Sequence, residues 1–108
     1  MTAVAFKILD AGDWTAAQAS GAFLGSAIDL KDGFIHLSTA DQLEETVRRH
    51  FAGRTGLVLL TVDLAVLGSA VRWEPSRGGE LFPHVYGPMP LSVVREARPF
   101  QPSTAEEA

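Results

Sequence analysis

TADQLEETVRRHFAG at residues 39–53, followed by LVLLTVD at 57–63 and AVRWE at 70–74, decides the fold class. Thr39 opens a helix, and Gln42 three residues later completes a capping-box pattern, in which hydroxyl and amide satisfy each other's orphan backbone donors. Leu43, Val47, His50 and Phe51 recur at helical spacing, and Gly53 is the expected stop. Leu57–Asp63 is apolar, branched and of strand length. Asp63–Gly68 reads as a turn or a single helical turn. Ala70–Glu74 then reads as a further strand with Val71 and Trp73 on one face. Two strands thus follow one helix with no crossover helix between them, the pattern of an α+β fold with antiparallel pairing rather than a doubly wound sheet.

The flanks extend this pattern. Residues 4–9 read as a first strand, with Val4, Phe6 and Ile8 on one face and Lys7 on the other. Asp13 is the expected N-cap of a short helix over residues 14–20, closed by Gly21. Residues 21–33 carry several glycines and charges and read as a long loop. Gly33–Ser38 reads as a second strand. Residues 75–90 hold Pro75, Pro83, Pro88 and Pro90 among glycines, a density that argues against a helix or a central strand. Residues 92–100 read as the last strand. A single domain over 1–100 is expected, with a disordered tail at 101–108.

Composition excludes several classes of function. The chain has 108 residues, 46% of them hydrophobic and 20% charged, and no cysteine. Disulfide scaffolds, thiolate metal sites and cysteine nucleophiles are ruled out. No apolar run approaches the ~20 residues of a membrane span. The N-terminal residues lack the basic flank and apolar stretch of a signal peptide, so a cytoplasmic location and no membrane partner are expected. A net charge of −4 gives no general attraction to nucleic acid. Lys7, Arg72, Arg77, Arg95 and Arg98 are candidates for a small local basic pocket. GxGxxG, GxxxxGK[ST] and GxSxG patterns are absent.

Two segments hold chemistry. In DGFIHLST, residues 32–39, Ile35 and Leu37 face one way on a strand, and Phe34, His36 and Ser38 the other. That places an imidazole and a hydroxyl side by side, as a hydrogen-bonding or basic site wall or as a surface His beside a capping Ser. RWEPSRGGELFPHVYGPMP, residues 72–90, combines Glu74, Arg77, His84 and Tyr86 with an adjacent glycine pair that would let a ligand approach closely. His84 and Tyr86 share a face if the segment is extended. The other reading is a structural loop in which Glu74 pairs with Arg77. His50 reads as a helix C-terminal histidine favoured by the dipole, and Trp14 as core. His36, His84 and Glu74 have the residue types of a facial metal triad, but their spacing is generic and no metal site is assigned.

DGFIHLST, RWEPSRGG and FPHVYGPMPL in this order, after the opening FKILDAGDW, resemble the bacterial and plant family catalogued as domain of unknown function 952 (DUF952). The resemblance spans residues 5–98. It implies an ADP-ribosyltransferase-like fold, two small, mostly antiparallel sheets with two or three short helices around a cleft. Within that fold, FIHLS (34–38) resembles the His-x-His-Leu-Ser strand of RNA 2′-phosphotransferases, with Phe34 in place of the first histidine.

The resemblance implies NAD or a related phosphorylated nucleotide as a small-molecule ligand, with NAD as a substrate and no required cofactor. Glu74, His36 and His84 are the expected catalytic residues: a carboxylate beside the ribose carbon and histidines holding hydroxyls. Lys7, Ser38, Trp73, Arg77 and Tyr86 are the expected substrate contacts, as phosphate grips or stacking rings. Two other functions stay open: a non-catalytic module for a small anionic metabolite, and a protein-interaction domain docking through residues 81–89. The last requires exposed Phe82 and Tyr86 and well-separated histidines.

Overall fold

The computed structural model describes residues 3–102, with Arg77 described by its backbone alone. The chain runs β1 (Val4–Asp10), α1 (Ala11–Ser20), β2 (Ala22–Phe23), α2 (Ala27–Asp32), β3 (Ile35–His36), α3 (Ala40–His50), β4 (Leu57–Asp63) and α4 (Leu64–Leu67). β5 (Val71–Pro75), β6 (Leu81–Val85), β7 (Met89–Pro90) and β8 (Val94–Phe100) complete it. Every strand pairing is antiparallel, in sheets ordered β1-β4-β8, β2-β7 and β3-β6-β5. The fold is α+β. It has three small sheets where two were expected, and a fourth helix of one turn.

β1 and β4 are covered on both sides, and so are apolar on both. Ala5, Leu9, Val58, Leu60 and Val62 face the main core, where they meet Ile35, Leu37, Val85, Phe23 and Met89. Ile8, Leu57 and Leu59 face the other way, against Leu43, Val47 and Phe51 of α3 and its C-cap. β8 is an edge strand, and its exposed Arg95, Glu96, Arg98 and Pro99 suit an edge that must resist further pairing.

α3 starts as its sequence dictates. Thr39 Oγ1 accepts from the Gln42 N–H, and Gln42 Oε1 accepts from the Thr39 N–H. Phe51 rather than Gly53 is its C-cap. α1 begins earlier than expected, with Asp10 rather than Asp13 at the N-cap position. Gly21 closes it in the left-handed conformation at φ 94°.

Two expectations about loops are overturned. Residues 21–33 contain β2 and α2, whose N-cap is Ser26. Residues 75–90 contain β6, a central strand that includes Pro83. The Pro83 carbonyl accepts from the Leu37 N–H, so its ring nitrogen points toward the β3 side. β3 ends at His36, and the missing donor falls where that ladder stops. The β5–β6 turn needs Gly78 and Gly79 for their positive φ, 71° and 83°. Nothing lies within 4 Å of either missing Cβ, so no other part of the protein packs against them. Pro102, expected in the tail, is buried, and residues 103–108 lie outside the described residues.

Candidate functional site

The first and third sheets meet where Phe6 and Ser38 exchange backbone hydrogen bonds of 2.8 and 2.9 Å. A cleft of about 840 Å³ opens beside this bridge. Lys7, His36, Ser38 and His84 line one part of it. Phe6, Ile8, Leu43 and Phe51 form an apolar part, and Arg49, His50 and Arg54 come from the end of α3 and beyond.

One wall is built on Asp29, which is 1% exposed. As the third residue of α2 it accepts from the Ser26 N–H at 2.9 Å and the Ser26 hydroxyl at 3.0 Å. It also takes the His36 N–H at 3.1 Å, His36 Nδ1 at 2.6 Å and Lys7 Nζ at 2.8 Å. Burial pushes the Asp29 carboxyl up. The hydrogen bonds from His36 and Lys7, the Lys7 charge and the Ser26 N–H outweigh it and hold the group well below the usual carboxylate range. Burial lowers the Lys7 ammonium, and the charge and hydrogen bond of Asp29 oppose that. The other ring nitrogen of His36, Nε2, lies 2.9 Å from Asp32 Oδ2. Both nitrogens of His36 are therefore spoken for by carboxylates.

The β3–β6 register pairs His36 with His84 directly, and their ring centroids are 5.5 Å apart. His84 is 3% exposed, and Phe34 stacks on its ring at 4.0 Å. Its Nδ1 lies 2.7 Å from Glu74 Oε1, which also accepts from the Tyr86 hydroxyl at 2.8 Å. The hydrogen bonds from His84 and Tyr86 hold the Glu74 carboxyl below its ordinary value. Donating to Glu74 and partial burial raise the Tyr86 phenol. The Arg72 guanidinium covers the Tyr86 ring at 4.9 Å. An ionised carboxylate only accepts, so Nδ1 carries the proton and the neutral ring keeps its lone pair on Nε2.

The expected site residues thus divide. His36, Ser38, His84 and Lys7 line one cleft. Glu74 and Tyr86 stand behind His84 and reach the cleft through it. Three expectations need correction. His36 offers no free nitrogen as a base, since Asp29 and Asp32 take both. Lys7 is buried against Asp29 and presents no free cation to a phosphate. Trp73 pairs with Pro83, one residue out of step with Arg72 and Glu74, and so projects from the opposite face. Ser38 shares a hydrogen bond of 2.9 Å with Thr46. The Arg77 side chain lies outside the described residues.

Three of the candidates for a small basic pocket are engaged elsewhere. Arg95 donates from Nε and Nη2 to the same Asp63 oxygen, Oδ2, Arg72 covers Tyr86 and Lys7 is buried. Arg49 and Arg54, which were not singled out, supply the cations of the cleft instead. Docking through residues 81–89 keeps one of its conditions, an exposed Tyr86, and loses the other two: Phe82 is 6% exposed and the histidine rings lie 5.5 Å apart. Among the described residues, no three His, Asp or Glu side chains converge in a way that could hold a metal. No helix among them is long and apolar enough to cross a membrane.

A small α+β body with a histidine-walled cleft between two antiparallel sheets is the class that these observations define. A family model described as "Protein of unknown function (DUF952)" matches residues 8–97, and the chain belongs to that family. It is similar to the protein CC0527 from Caulobacter crescentus. The crystal structure of that protein is 43% identical, covers 96% of each chain and superposes with a TM-score of 0.89. Its solution NMR structure, also 43% identical, covers 100% of this chain and 97% of that one, with a TM-score of 0.84. No curated protein matches.

Proposed function

We propose that the protein binds NAD or a related phosphorylated nucleotide in the cleft between the β1-β4-β8 and β3-β6-β5 sheets. The observation that carries the reading is the convergence of three unlike surfaces on one cleft. His36, Ser38 and His84 offer polar contacts, Phe6, Ile8, Leu43 and Phe51 an apolar seat for a planar ring, and Arg49 and Arg54 two guanidinium groups on a rim that also carries Asp10 and Asp13. A volume of about 840 Å³ suits a ligand of this size.

The two arginines are held by exposed ion pairs, Arg54 to Asp10 at 2.6 Å and Arg49 to Glu45 at 2.7 Å. Exposed pairs contribute about 0–1 kcal/mol. A pyrophosphate, which accepts bidentately from guanidinium, can displace those carboxylates at little cost. Resemblance to the ADP-ribosyltransferase-like superfamily points to the same ligand class, with ADP-ribosyl transfer or NAD hydrolysis as its chemistry.

A non-catalytic module for a small anionic metabolite is the second reading. It is favoured by the internal engagement of Lys7 and His36, which leaves fewer groups to act on a ligand. Calorimetric titration with NAD, ADP-ribose, nicotinamide and a phosphate-free dicarboxylate, succinate, tests the proposal. Sub-millimolar binding of NAD that weakens in Arg54→Ala is expected. Heat from a phosphate-free anion alone supports the second reading, and no heat from any nucleotide overturns the first.

A further inference from the structure

The geometry points to His84 Nε2 as the base that removes a proton from a hydroxyl acceptor, water or an alcohol, attacking the nucleotide bound in the cleft. The inference rests on the nucleotide reading above and names the half of the reaction which that reading leaves open.

Three features of the molecule support it. First, Nδ1 is fixed on Glu74 Oε1 at 2.7 Å, which sets the tautomer with the lone pair on Nε2. Second, no buried side-chain nitrogen or oxygen among the described residues lacks a partner. Nε2 has no hydrogen-bond partner among them, so it is not sealed in. His84 is among the residues that line the cleft, and Nε2 is the ring nitrogen that Glu74 leaves available there. Third, the ring is fixed before any ligand arrives. Phe34 stacks on one face at 4.0 Å, and the Tyr86 hydroxyl pins the Glu74 oxygen that holds it. His36 cannot share the role, because Asp29 and Asp32 hold both its nitrogens.

The step balances without a further reactant. The acceptor O–H gives its proton to His84 Nε2 while its oxygen forms a bond to the ribose carbon. The bond from that carbon to nicotinamide breaks, and its electron pair leaves on the ring nitrogen as neutral nicotinamide. His84 then releases the proton to solvent. Glu74 acts through His84, by orienting the ring and stabilising its charged form, and is a positioning residue.

The test measures nicotinamide release from NAD by the full chain, with NAD binding followed separately by calorimetry. His84→Asn is expected to lose about a hundredfold in release at saturating NAD, a loss larger than any weakening of NAD binding read by calorimetry. Glu74→Gln covers the case in which His84→Asn fails to fold, and it is read by ¹⁵N spectra of the imidazole. The wild type should show protonated Nδ1 and unprotonated Nε2, and Glu74→Gln a mixture of tautomers with slower release. A wild type that binds NAD but releases no nicotinamide, an unaltered rate in His84→Asn, or a proton on Nε2 of neutral His84 overturns the inference and leaves the binding proposal standing. Absence of NAD binding removes both.

Discussion

Asp29→Asn is the substitution whose consequences the structure fixes best. Asp29 is 1% exposed and receives Lys7, the Ser26 N–H and hydroxyl, and the His36 N–H and ring. The amide keeps one acceptor oxygen but loses the charge that faces Lys7, itself 6% exposed. Removing one partner of a buried ion pair costs about 3–5 kcal/mol. Burial already lowers the Lys7 ammonium, so it sheds its proton more readily once alone, which places the cost near the lower end, about 3 kcal/mol. That is a large share of the ~5–15 kcal/mol that holds a domain folded.

The pH dependence has a definite sign. The folded-state value of Asp29 is depressed, so its stabilising contribution is present above the unfolded value near pH ~4 and is lost as pH falls toward the folded value. Urea unfolding of wild type and Asp29→Asn should therefore differ most at neutral pH, with the gap narrowing progressively below about pH 4. A difference at pH ~7 smaller than about 1 kcal/mol refutes the reasoning, as does a gap that stays constant under acid.

Three further outcomes follow from single contacts. Thr39→Ala removes the Oγ1 that accepts from the Gln42 N–H at the start of α3, while the Thr39 N–H can still donate to Gln42 Oε1, and should cost about 1 kcal/mol in urea unfolding. Tyr86→Phe removes one donor from Glu74 Oε1, so the Glu74 carboxyl should titrate at higher pH by ¹³C NMR, and an unmoved curve would show that the hydroxyl does not donate there. Trp73→Ala should leave NAD affinity unchanged in calorimetry, because the indole projects from the face of β5 opposite Glu74 and Arg72.

Much of the fold was legible because periodicity and capping are local. β1, β4, α3 and β8 lie where alternation, helical spacing and the Thr39–Gln42 pair place them. α2 was missed because its six residues are too few to display a period among glycines. The Ser26-x-x-Asp29 spacing, the same box that marks α3, was the available signal. β6 was missed because Pro83 argues against a central strand unless the partner ladder is known to end beside it.

The meeting of His36 and His84 depends on a cross-strand register that no local pattern encodes. Their presence on polar strand faces was nevertheless readable from Ile35 and Leu37 turning inward. The hub role of Asp29 was invisible for a different reason. A lone acid in an irregular stretch carries no sign that a lysine on β1 and a histidine on β3 will close around it. Trp73 shows the opposite error: its residue type suggested stacking, and one step of strand alternation turns it away.

The central claim is that a phosphorylated nucleotide sits in the cleft against His84. NMR titration of the labelled protein with NAD, following the imidazoles of His36, His50 and His84 and the backbone amides, tests it most directly. The account predicts that His84 and the amides of Phe6, Leu43 and Phe51 shift together at sub-millimolar NAD, while Val66, on the exposed surface of α4, stays still. Shifts confined to residues outside the cleft, or none at all, would contradict it.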